Sequence, residues 1–165
     1  MPETPNERLL EAILDSWDRN NIILLNLLRI LPGGGLEVRA MPSSPSVAEL
    51  FTHIHYVRLV FLFEDAPEFA SDVPEKEWVD ECDPDRISQM LRDSASAVRN
   101  AVKRLVETGR EMNLHYDHPI LLLQHMLWHE GYHHGQIKLA LKIAGLPITD
   151  EEAGPGTWGI WKRKK

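Results

Sequence analysis

The chain has a single cysteine, Cys82, among 165 residues. One thiol excludes an intramolecular disulfide framework and any cysteine-rich zinc site. Cys82 sits between Glu81 and Asp83, whose carboxylates disfavour a thiolate, so it is a poor nucleophile. Basic charge is also short. The 18 lysines and arginines stand against 25 acidic residues, and the net charge of -7 argues against nucleic-acid binding. No apolar run reaches the roughly 18 residues that a membrane span requires. The richest stretch, Ile22 to Leu31, is interrupted by Asn26 and Arg29. Met1-Pro2-Glu3-Thr4-Pro5 holds no basic region leading into an apolar core, so the expected location is the cytoplasm, with neither membrane nor nucleic acid as partner.

What is present is ordinary for a soluble globular domain: 43% apolar and 26% charged residues. The length predicts one domain over 1–165, with a short basic tail at about 158–165. A chain of this size buries roughly 70% of its unfolded surface and needs no metal simply to fold. From Glu64 to Asp85, ten acidic residues face one lysine, Lys76, which reads as a solvated loop.

The punctuation predicts four long helices and no convincing strand. Thr4, Pro5 and Glu7 form a capping box that opens the first helix, which stops at Pro32-Gly33-Gly34-Gly35. Ser46 and Glu49 form another box, and the second helix ends near Glu64, before Pro67. The third runs from Asp83-Pro84 to Gly109, and the fourth from Asp117-His118-Pro119 to Gly145, with Pro147 beyond. A short strand near Leu36 to Arg39 is compatible with the pattern. The predicted architecture is all-α, a single four-helix bundle with long inter-helix loops, a kind that is often functional.

Bundle helices bury stripes stepping by three and four residues. The third helix does so simply: Ile87, Leu91, Ser94, Val98, Ala101, Leu105. The fourth reads Leu122, Met126, His129, His133, Gln136, Ala140, Ile143, and the second reads Leu50, His53, Val57, Val60. Histidine thus stands where the pattern expects core. Buried polar groups must be hydrogen-bonded or coordinated. His129 and His133 are one turn apart and can address one ion, and His53 on a facing helix supplies a third nitrogen. Neutral imidazole suits zinc, nickel, copper or iron(II). Three protein ligands leave a position open, as in catalytic sites.

The segment His129-Glu130-Gly131-Tyr132-His133-His134-Gly135-Gln136-Ile137 resembles the signature of the DinB/YfiT-like superfamily. Ser46-Val47-Ala48-Glu49-Leu50-Phe51-Thr52-His53-Ile54 is similar to that superfamily's start of helix two. The ending Ala144-Gly145-Leu146-Pro147, with Trp158-Gly159-Ile160-Trp161 after it, is also similar to many members. The resemblance implies a four-helix bundle holding a divalent metal on His53, His129 and His133. It implies activities of the thiol-dependent S-transferase or metal-dependent hydrolase kind on a small electrophilic substrate, with a low-molecular-weight thiol as a partner in the first case. Zinc or nickel is the expected metal, with iron or manganese as further options, and a homodimer is the expected assembly. His134 departs from the pattern, which usually has arginine there. It lies about 100° around the helix from His133, which disfavours it as a ligand to the same ion.

Two further residues are candidates for catalysis. Gln136, one turn beyond His133, could orient a ligand, and Glu49, one turn before His53, could act as a base if its capping box does not claim it. His125 reads as a supporting or surface residue, and His55, His115 and His118 as solvent-facing or capping. Leu122, Met126, Trp128 and Ile137 read as core or pocket wall, and Trp158 and Trp161 as packing over one end of the bundle. A non-catalytic metal-binding or interaction bundle is the alternative.

Overall fold

The computed structural model describes residues 5–70 and 72–164. Helix α1 spans Pro5–Arg29, α2 Val47–Asp65, α3 Pro84–Thr108 and α4 Pro119–Ile143. A fifth helix, α5, is the single turn Asp150–Ala153, which the sequence reading does not contain. The boundaries follow local chemistry. The Ser46 hydroxyl accepts from Glu49 N–H, and Glu49 returns the contact to Ser46 N–H, closing the expected box. Gly109 and Gly145 take left-handed φ angles of 63° and 76°, where a side chain would be strained. Thr4 of the first predicted box and Lys165 of the tail lie outside the described residues. The segment near Leu36 holds a 3-10 turn, Gly35–Glu37, and one isolated antiparallel bridge between Arg39 and Ser46 in place of a strand. No helix among the described residues is long and apolar enough to cross a membrane.

Two apolar clusters lie at opposite ends of the helices. One gathers Leu10, Leu14, Trp17, Val98, Leu105 and Met126, and the other Leu24, Leu27, Phe51, Leu91, Ile137 and Leu141. Between them lies a polar layer: Asn20 and Asn21 from α1, His53 and Arg58 from α2, Ser94 from α3, and Glu130 and His133 from α4, all buried. The order in which each helix meets the clusters gives its direction. α1 and α4 run one way, and α2 and α3 the other. Two consecutive parallel helices need a connection that returns along their length. Residues 66–83 provide it, with ample reach at roughly 3.3 Å per extended residue.

Three expectations about packing change. Leu122, Met126 and Ile137 are fully buried, but Trp128 is 74% exposed. It lies about 150° around α4 from the centre of that buried stripe, on the outer face. His55 is buried rather than solvent-facing, with Nδ1 2.7 Å from the Met90 carbonyl oxygen, because α2 is covered nearly all round. Trp158 and Trp161 stay half exposed. Beside them, buried Ile160 packs, and its carbonyl accepts a hydrogen bond from Arg19 of α1.

Candidate metal centre

The seam breaks on α2 and α4 meet in the polar layer. His129 Nε2 lies 3.1 Å from His53 Nε2 and 2.9 Å from His133 Nε2. Among the described residues, these three form the one group of histidine, cysteine and carboxylate donors close enough to hold a metal ion. An imidazole nitrogen has a single in-plane lobe, which either carries a proton or offers a lone pair. His129 Nε2 therefore cannot hydrogen-bond both neighbours in line, and three ring nitrogens face one another without a full set of partners. A cation at their common focus would satisfy all three. Metal–nitrogen bonds of about 2.0–2.1 Å at angles of 90–110° place their nitrogens ~2.9–3.4 Å apart, and the two separations from His129 match. The donor set fits a divalent ion.

The far side of His133 is held in place. Its Nδ1–H donates to Gln136 Oε1 at 2.7 Å, and Gln136 Nε2 donates to the Tyr132 hydroxyl at 3.0 Å. A carbonyl oxygen only accepts, so the His133 proton sits on Nδ1 and the Nε2 lone pair is free. Gln136 thus fixes the orientation of the His133 ring. Glu49 is engaged elsewhere, on Ser46 N–H and on Arg39 at 2.8 Å. His125 pairs with the Tyr116 hydroxyl at 2.8 Å, His115 with buried Asp65, and His118 accepts from Ile120 N–H at the start of α4. The rings of His53 and His129 each keep a buried Nδ1 with no hydrogen-bond partner.

Burial keeps the three rings neutral. Desolvation, reinforced by the charge that His133 would carry, pushes His53 down to about 4. Desolvation and the neighbouring histidines push His129 down to about 3. Desolvation also lowers His133, partly offset by its bond to Gln136. Unfolded histidine titrates near 6.5. As pH falls below that value, the unfolded chain gains protons that the folded, metal-free protein refuses, so folding stability falls with it. We expect the melting temperature of the metal-free protein to drop from about pH 6.5 toward pH 4, where His53 begins to accept a proton. A flat profile across that range, followed by differential scanning fluorimetry, would show that these rings titrate as exposed histidines do. Protons also compete with a metal only near the lower end of this range, below the pH 5 to 6 expected for ordinary histidines.

Two groups of residues at this site escaped the sequence reading. The first is a buried ion pair. Arg58 and Glu130 are both fully buried, with Nε to Oε1 at 2.6 Å and Nη2 to Oε2 at 2.8 Å. Asn20 also donates to Glu130. Arg58 Nη1 donates to Asn21 Oδ1 and the Leu91 carbonyl, and the guanidinium lies 4.8 Å from the Trp17 ring centre. The network ties all four long helices together beside the histidines. The second group comes from the acidic connection, which is not wholly solvated. Thr52 Oγ1 accepts from Val79 N–H at 3.1 Å and contacts the Val79 carbonyl oxygen at 2.8 Å, and Ser46 Oγ donates to Asp80 at 2.9 Å. This clip lays the Trp78 indole on the His53 ring. The signal available in the sequence was Trp78-Val79, an apolar pair set among Glu77, Asp80 and Glu81.

Fold and site together define an all-helical protein whose buried polar layer holds a three-histidine cluster compatible with metal binding. The DinB family model matches residues 1–152, and the chain belongs to the DinB family. No curated protein and no solved structure matches it.

Proposed function

We propose that the protein is a metalloenzyme that binds one divalent ion through His53, His129 and His133. It acts on a small electrophilic substrate as a thiol-dependent S-transferase or as a hydrolase. The convergence of three Nε2 atoms in a buried layer carries this reading. Zinc or nickel is the proposed ion, since neutral imidazoles favour both. Such an ion supplies Lewis acidity, which lowers the pKa of a water or thiol brought to it. The chain's own residues do the rest. Gln136 holds His133 in the tautomer that presents Nε2, and the Arg58–Glu130 network holds α2 and α4 in register.

A structural site would close its coordination with a fourth protein ligand. Three candidates for that place, Glu49, His125 and Gln136, are engaged with Arg39, Tyr116 and His133 respectively. That favours an open position, and hence catalysis over a non-catalytic metal-binding bundle. The proposal includes a cytoplasmic homodimer. The exposed stripe Leu121, Trp128, Tyr132, Leu139 and Ile143, all within about 40° of one line along α4, is the surface a second copy would cover.

The test is turnover. Protein purified without a histidine tag is screened with low-molecular-weight thiols plus electrophiles, and separately with simple esters and amides. We expect one class to turn over, the activity to vanish on chelation, and zinc or nickel to restore it. Metal bound at the histidines with no turnover in either class and no exchangeable water would make the protein a non-catalytic metal binder.

A further inference from the structure

Building on the three-histidine reading, we propose that Glu77 and Trp78 are positioning residues of the metal centre, delivered to the His53 ring by the α2–α3 crossover. His53, like His129, lacks on its far side support of the kind Gln136 gives His133. It is only 8% exposed, and its buried Nδ1 has no hydrogen-bond partner. A Glu77 carboxylate oxygen lies 3.0 Å from that nitrogen, within ion-pair reach but off the line of a hydrogen bond. The Glu77 side chain is 45% exposed, so the small rotation that would bring it into line meets little packing. On one face of the ring, the Trp78 indole stacks with centroids 4.1 Å apart and planes within 4°.

The register of these contacts is built in. Thr52 immediately precedes His53, and its hydroxyl engages both backbone groups of Val79, the residue after Trp78. Ser46 holds Asp80 one residue further on. The strap is therefore clipped beside the ligand it touches.

The chemistry explains why both contacts matter. Three neutral imidazoles bring no charge to offset a divalent cation in a buried layer. Donation of the Nε2 lone pair makes Nδ1–H a stronger donor, and a carboxylate that accepts it raises the basicity of the ligand and fixes the ring rotation. Glu77 supplies that acceptor and one compensating negative charge. Trp78 fixes the ring plane and shields one face from water.

Zinc affinity at pH 7, measured by competition with a chromophoric chelator, tests this on the full chain. We expect Glu77→Ala to weaken binding by about 10- to 100-fold, the usual effect of losing a partner of a metal-bound histidine. Glu77→Gln, which keeps an acceptor without the charge, should recover part of the loss. Trp78→Phe should remain near the parent, and Trp78→Ala should weaken binding. The zinc-free melting temperature of Glu77→Ala should barely move, because the Glu77 side chain is about half exposed and loses no packing contact. Parent-like affinity in Glu77→Ala and Trp78→Ala would overturn this inference alone. So would a loss of zinc-free stability large enough to account for weakened binding. A parent that binds no zinc would overturn the three-histidine reading with it.

Discussion

Replacing His129 with alanine is expected to take the metal content from about one divalent ion per chain to near none, read by elemental mass spectrometry on protein made without a histidine tag. His129 is the pivot of the cluster, because its Nε2 is the atom within about 3 Å of Nε2 in both other histidines. Without it, His53 and His133 remain as two nitrogens on different helices. A second readout follows from linkage. A ligand that binds only the folded state stabilises it by about 4 kcal/mol at a thousandfold excess over its dissociation constant. Added zinc should therefore raise the melting temperature of the parent strongly and leave His129→Ala almost unmoved. The metal-free variant should itself be close to the parent, since the substitution also removes a buried, unpartnered Nδ1. Full metal occupancy in His129→Ala would show that the ion sits elsewhere.

Glu130→Ala is expected to be the most destabilising single change, at about 3–5 kcal/mol, because it leaves the Arg58 guanidinium buried with no counter-charge. For a chain of this size, that is a fall of roughly 10 °C in melting temperature. Arg58→Ala should cost a similar amount, by stranding the carboxylate and emptying the space over Trp17. The double variant Arg58→Met/Glu130→Leu should cost much less than the sum, because a buried pair exchanged for apolar residues of like volume removes both desolvation penalties. Urea unfolding of the metal-free proteins gives the three values. A Glu130→Ala cost below roughly 1 kcal/mol would mean that the charge reaches water, contrary to its complete burial.

The two experiments probe neighbouring positions on one helix turn, and these differ sharply in how far the sequence revealed them. His129 and His133 stood out because they interrupt an apolar period, and His53 because it interrupts another. Glu130 gave no such signal. A glutamate beside the seam of an amphipathic helix reads as its solvated face, and only the arrival of Arg58 from α2 makes its burial tolerable. His55 and Trp128 fail in the same way, in opposite senses: one is covered by a neighbouring helix and the other is not.

Features that depend on contacts within a turn or two were legible in the residues alone. Such contacts set the start of α2 through Ser46 and Glu49, the stops at Gly109 and Gly145, the prolines that open α3 and α4, and the polar breaks at mid-helix. These are local because a cap, a left-handed glycine and a 3.6-residue period all act over a few residues. Tertiary structure alone decided that α2 and α3 run parallel, and so that the acidic connection passes His53 and lays Trp78 against it. It alone decided that three ring nitrogens share one focus and that Arg58 meets Glu130. Those outcomes depend on how each helix is turned about its axis and where the chain crosses back, and pairs such as Arg58 and Glu130, 72 residues apart, leave no periodic trace in either segment.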